Sequence, residues 1–152
     1  MTRDAVTFRR ATGDDAEAIA AVIAEVVSGP SPVGFDRALP AEEVRVWIVR
    51  LGESGLLLLA EEGGAVLGFG ALDFDTQEPE TASLGVWLLS GAQRRGVGTR
   101  LAEGLLAQAR DGGFTRIVGR LPEDNEAALS FLSSIGGLVP IMNPDMRFEL
   151  PL

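Results

Sequence analysis

The chain has 152 residues, a formal charge of −9, no cysteine and no histidine, and all 13 of its basic residues are arginine. That length makes one domain, residues 1–152, which buries roughly 68–70% of the surface its unfolded chain exposes, so its core needs no staple. With neither thiolate nor imidazole a zinc site is excluded and no metal is expected; the acidic balance argues against nucleic acid and acidic membranes as partners and serves solubility, while mildly favouring cationic small molecules or basic peptides.

No apolar segment follows Met1-Thr2-Arg3-Asp4 and Leu56–Ala60 is too short to span a bilayer, so a cytoplasmic location is expected. Val6, Thr7, Phe8 and Arg9 alternate as a first strand. Thr12 stands three residues before Asp15, a weakened capping box, ahead of Ile19, Val22, Ile23 and Val26 at helical spacing. The stretch from Ser28 to Pro40 carries Gly29, Pro30, Pro32, Gly34 and Pro40 and reads as a long loop, of the kind that often carries function. A second helix starts at Pro40 with Glu42 and Glu43 at its positive end and Val44, Trp47, Ile48 and Leu51 as its buried stripe, so Trp47 reads as core.

Leu56–Ala60 and Ala65–Phe74 are apolar runs joined by Gly63-Gly64, which reads as a hairpin turn. Asp75 to Glu80 reads as an acidic connection and Ala82 to Leu89 as a third strand of an antiparallel series. That strand feeds a helix in which Leu101, Leu105 and Ala109 lie four apart, closed by Gly112-Gly113. Arg116–Leu121 then pairs parallel to the preceding strand, because a helical crossover separates the two. Asn125, Ala128, Phe131, Leu132 and Ile135 define a fourth helix, and Leu138–Ile141 and Met146–Leu150 close the chain as strands.

Between the third of those antiparallel strands and the third helix lies Gln93-Arg94-Arg95-Gly96-Val97-Gly98-Thr99. The N–H groups of a helix start carry positive partial charge, and Gly96 and Gly98 let an anion approach, so the stretch can cradle phosphate. An ordinary strand-to-helix turn is the competing reading. A P-loop is excluded because there is no lysine, and a dinucleotide fingerprint because Leu101 stands where its third glycine belongs. What fits is Gln-x-x-Gly-x-Gly.

In this hexapeptide and in its element order over essentially the whole chain, the sequence resembles the GNAT superfamily of acyl-CoA N-acyltransferases. Asn125-Glu126-Ala127-Ala128-Leu129, followed by Phe131 and Gly136-Gly137, also matches a motif of that family's fourth helix. The first half is more distantly similar to phosphinothricin and L-amino-acid N-acetyltransferases. The resemblance implies an α/β (α+β) fold: a mixed, mostly antiparallel sheet with helices on both faces and a central parallel strand pair splayed to hold coenzyme A.

It further implies that Gln93, Arg94, Arg95, Gly96, Val97, Gly98 and Thr99 bind the pyrophosphate of acetyl-CoA. The pantetheine arm then lies along Leu88 and Leu89, with Asn125 either reaching that arm or acting as a helix cap. The backbone N–H of Leu89 or Leu88 would stabilise the oxyanion of the thioester carbonyl. Two departures stand out. The tyrosine that many members use as general acid is Leu132 here, in a chain without tyrosine, and their glutamate falls at Ser83, with Glu80 and Asp73 the nearest acids.

A lysine-type amine is only about one part in 10³ neutral at pH 7, a penalty of roughly 4 kcal/mol; an α-amine near pKa 7.7–8 carries about a quarter to a third of that. The expected reaction is therefore direct transfer of acetyl to a low-pKa primary amine of a small molecule, an amino acid or a peptide N-terminus. Glu80 or Asp73 would act through water, with Ser83 beside them, and the chain would act alone or as a homodimer. A catalytically silent acyl-CoA sensor or partner module is the alternative from another class, and a domain whose loop binds nothing is a third.

Overall fold

The computed structural model describes residues 6–28, 37–52, 55–75, 77–89, 92, 96–120, 139–140 and 147–151. In chain order the elements are β1 (Thr7–Arg10), α1 (Ala16–Ser28), α2 (Ala41–Leu51), β2 (Leu56–Glu62), β3 (Ala65–Asp75), β4 (Glu78–Leu88), α3 (Val97–Asp111), β5 (Arg116–Arg120), β6 (Val139–Pro140) and β7 (Arg147–Pro151). The strands form one sheet in the order β1-β2-β3-β4-β5-β7-β6. Every pairing is antiparallel except β4 with β5. α3 links that pair, and a crossover of this length is what lets two strands run parallel.

The period-two alternation of β2 explains its unbroken apolar run. Leu57 and Leu59 pack on one face with Ile19, Val22, Ile23, Val44 and Phe69, under α1 and α2. Leu56 packs on the other with Leu72, Leu105, Leu106 and Ile117, under α3. A strand buried on both faces has no polar side to show. Gly63 and Gly64 turn the β2–β3 hairpin with φ of 59° and 83°, a conformation that costs glycine nothing. Before α1, the Asp15 carboxylate accepts the Thr12 backbone N–H at 2.8 Å, the reciprocal half of a capping box.

One boundary differs from expectation. β4 begins at Glu78, not after an acidic connection ending at Glu80, because the β3–β4 ladder continues past a register irregularity after Phe74 to pair Asp75 with Glu78. Backbone pairing carries these polar residues into the strand, which composition does not show. The expected fourth helix, with Asn125 and Leu132, lies outside the described residues, as do residues 29–36 of the long loop. Among the described residues, no helix is long and apolar enough to cross a membrane, and no group of three or more acids could hold a metal ion.

Candidate active site

The parallel pair parts in the middle of the sheet. β4 and β5 pair at Thr81–Arg116, Ala82–Ile117 and Ser83–Val118. Past that point β4 runs on to Leu88, while Gly119 and Arg120 of β5 pair with β7. A gap opens between the two strands, bordered by the second half of β4.

Which backbone groups of β4 face the gap follows from hydrogen-bond alternation. The Leu89 N–H donates to the Leu67 carbonyl at 2.9 Å, and Phe69–Trp87, Ala71–Gly85 and Asp73–Ser83 continue the same register. In an antiparallel ladder the residues between such pairs turn their N–H and C=O the other way. Val86 and Leu88 therefore present their backbone groups to the gap, and Leu89 does not. This corrects the expectation for Leu89, whose N–H is committed to β3 and unavailable to an oxyanion. The backbone groups on the gap side are those of Leu88 and Val86. The sequence pointed to the strand, but the parity of its pairing comes from the register with β3.

The start of α3 lies against the end of β4. A Cβ at Gly98 would stand 3.4 Å from Leu88 Cδ1 and 3.7 Å from Val86 Cγ1, so the helix rests on the two residues that face the gap. Val97 is buried, packed with Leu101 and Ala60, and anchors this first turn. Gly96 takes φ 79°, where an L side chain is strained. The first helical bond runs from Arg100 N–H to the Gly96 carbonyl at 3.2 Å. The N–H groups of Val97, Gly98 and Thr99 precede it, and no carbonyl among the described residues receives them.

That first turn also lacks an acid. α1 begins with Glu17 and α2 with Glu42 and Glu43, the usual complement to the positive helix end. Among the described helices, α3 alone leaves this end uncompensated. Together with a backbone unobstructed at Gly96, around which an added Cβ would meet nothing within 4 Å, the turn suits an anion. Gln93, Arg94, Arg95 and Asn125, expected to contribute here, lie outside the described residues.

The acid candidates sit on β3 and β4. Asp73 and Ser83 are direct cross-strand partners, so the structure brings these two together; Ser83 is exposed and Asp73 half-buried. Asp73 Oδ1 accepts from Arg50 Nη1 at 2.9 Å and from the Phe74 backbone N–H at 2.7 Å. Oδ2 accepts from Arg50 Nη2 at 2.7 Å and from Trp47 Nε1 at 2.9 Å. Burial pushes this carboxyl up, but the donors from Arg50, Trp47 and Phe74 outweigh it and hold it below the ordinary 3.8. Glu80 stands at the opposite end of β4 from Leu88, its side chain exposed and its carbonyl accepting the Thr115 N–H at 2.8 Å.

Aromatic rings line the face of the sheet that carries Asp73. Trp87 stacks on buried Phe69 at 5.1 Å, and Trp47 meets Phe69 edge-on at 6.3 Å. The Trp87 indole lies along β4 over Gly85, where any Cβ would collide with it. Trp47 is thus partly buried, its ring packed against the core on the side its place in the apolar stripe implied and its N–H given to Asp73.

Comparison with known proteins agrees with this architecture. Residues 21–136 match the model of the acetyltransferase (GNAT) family. The L-amino acid N-acyltransferase MnaT of Escherichia coli (strain K12) is 26% identical over 146 residues, covering 93% of this chain and 84% of that protein. The structure of yncA, a putative acetyltransferase from Salmonella typhimurium with its cofactor acetyl-CoA, superposes with a TM-score of 0.80 at 21% identity, covering 97% of this chain and 94% of the other. A phosphinothricin acetyltransferase from Sinorhizobium meliloti in complex with acetyl-CoA gives 0.78 at 19% identity, covering 97% and 88%. On the family match across most of its length, and on the splayed parallel pair with a helix start at its mouth, the chain belongs to the GNAT acetyltransferase family.

Proposed function

We propose that this protein transfers the acetyl group of acetyl-CoA to a primary amine of a small molecule or amino-acid-like acceptor, by direct attack. The observation that carries the reading is the gap between β4 and β5 with the acid-free, glycine-lined start of α3 beside it. An amide-bearing arm can pair with the Val86 and Leu88 backbone while a diphosphate meets the N–H groups of Val97, Gly98 and Thr99. The acceptor class is supported by the relative of E. coli, named for L-amino acids.

Two amides of the pantetheine arm lie between its phosphates and its thioester. The backbone nearest α3, at Leu88, therefore pairs with the arm, and the N–H one repeat deeper, at Val86, receives the thioester oxygen. As the amine nitrogen adds to the carbonyl carbon, negative charge grows on that oxygen, and a fixed donor there favours the transition state. The C–S bond then breaks and the amine proton passes to water. The departing thiolate has the pKa of an ordinary thiol, so water suffices to protonate it, in keeping with a chain without tyrosine, histidine, cysteine or lysine. Asp73, its carboxylate already ringed by donors, is poorly placed to take a proton; Glu80 and Ser83 remain open to water.

This predicts a preference for amines of low pKa. Measuring kcat/KM against pH for acceptors of graded amine pKa tests it: α-amines should lead, and a lead for polyamines would overturn the reading. The missing side-chain acid also supports a silent acyl-CoA sensor, which tight acetyl-CoA binding without transfer to any amine would establish.

A further inference from the structure

We propose that the acceptor amine approaches on the face of β3 and β4 opposite α3, and that Asp73 is a positioning residue that fixes α2 against that face and is not the base of the reaction. The inference rests on the acetyltransferase reading and adds to it a residue that governs the acceptor. An ionised carboxylate offers about four lone-pair sites. At Asp73 four donors occupy them, two to each oxygen: Arg50 Nη1 and Phe74 N–H on Oδ1, Arg50 Nη2 and Trp47 Nε1 on Oδ2. A base must receive a proton from the amine or from water, and this carboxylate has no lone pair left to receive one. What it has is a grip on another element, since Trp47 and Arg50 both belong to α2.

α2 needs that grip. Only Val44 and Leu51 of its 11 residues are fully buried, and Val46 and Val49 are 61% and 80% exposed. The helix touches the molecule along an apolar stripe in which Ala41, Trp47 and Ile48 are only partly buried, and the link to Asp73 is a polar attachment to the sheet, beside the Arg10 bond to the Gly52 carbonyl at its C-terminal end. Trp47 adds an edge-on contact to Phe69, the ring on which Trp87 stacks. The clamp thus ends beside Ser83, the cross-strand partner of Asp73, and beside the residue next to Val86. α3 and the anion cradle are on the other face of the sheet. Loosening α2 should disturb the acceptor and leave the acetyl-CoA side intact.

The test uses Asp73→Asn, which keeps the shape but removes the paired acceptor for Arg50, and Trp47→Phe, which keeps the ring but removes the Nε1 donor. Kinetics are measured with acetyl-CoA and the best acceptor among the L-amino acids and simple primary amines. The clamp predicts that KM for the acceptor rises about 10-fold to 100-fold in both variants. KM for acetyl-CoA and the shape of the kcat pH profile should stay as in the parent. Trp47 emission, read with Trp87→Phe in the background so that one indole remains of the two, should shift on Asp73→Asn without any ligand. Loss of kcat in Asp73→Asn alone, with the acid limb of the profile abolished, would make Asp73 the base and overturn the proposal. An unchanged acceptor KM in both variants would overturn it too. If the parent acetylates no amine, the acetyltransferase reading fails, and emission then decides the clamp: a shift upholds it and no shift ends it.

Discussion

The backbone N–H of Leu89 donates to the carbonyl oxygen of Leu67 at 2.9 Å, and this one bond fixes which residues of β4 look into the gap beside β5. Its neighbours Leu88 and Val86 must turn the other way. Proline can test that assignment, because a strand tolerates it only where no ladder partner loses a donor. Val86→Pro should stay folded and lose about 10²–10³ in kcat, the cost of one oxyanion donor. Trp87→Pro, which removes a bond to β3, should instead lower the melting temperature. Full turnover in a folded Val86→Pro would assign the oxyanion elsewhere.

Gly85 is kept free of a side chain by the Trp87 indole lying over it. Gly85→Ala should displace the ring, shift tryptophan emission to the red and cost about 1–3 kcal/mol of stability by overpacking. Acceptor preference should change with it, while acetyl-CoA affinity stays. Thermal melts, emission spectra and an acceptor panel check these outcomes.

Much of this was legible in the sequence, and what was not has a physical reason. The apolar runs of β2 and β3, the Gly63-Gly64 turn and the helical spacing of Leu101, Leu105 and Ala109 all express local periodicity, and each element formed where that periodicity places it. The parity of β4 was hidden, because it depends on register with β3, in pairs such as Gly68–Leu88 and Gly70–Val86 that no local pattern reveals. The condition of Asp73 was hidden as well. Its donors Arg50 and Trp47 stand 23 and 26 positions earlier, on a helix whose docking no local pattern reveals. The backbone of Leu88 faces the gap and the Leu89 N–H faces β3, because adjacent residues of a strand turn to opposite partners.

Acid should destabilise the protein through two carboxylates. Hydrogen bonds from Arg9, opposed by burial and assisted by the Thr12 N–H, hold Asp15 below its ordinary 3.8, and Asp73 is likewise held low against burial by Arg50 and Trp47. A folded-state value below the unfolded one means that the stabilisation is complete above the unfolded pKa and is lost as pH falls through the folded one. The urea midpoint should therefore lose these contributions only below about pH 4. Asp15→Asn and Asp73→Asn should each lower the midpoint at pH 7 and flatten its acid slope. A slope unchanged in the double variant would contradict this assignment.

The most direct test of the account is a calorimetric titration of acetyl-CoA into the parent and into Thr99→Glu, beside their melting temperatures. Thr99 is exposed in the acid-free first turn of α3, so a glutamate there should stabilise the free protein by about 0.3–1 kcal/mol through the helix dipole. The same charge should repel the diphosphate and weaken acetyl-CoA at least about tenfold. A variant that melts higher and binds more weakly is the predicted result, since damage to the fold cannot produce both. Equal binding of acetyl-CoA by the two proteins would mean that this helix start does not hold the cofactor, and no binding by either would remove the acetyltransferase reading.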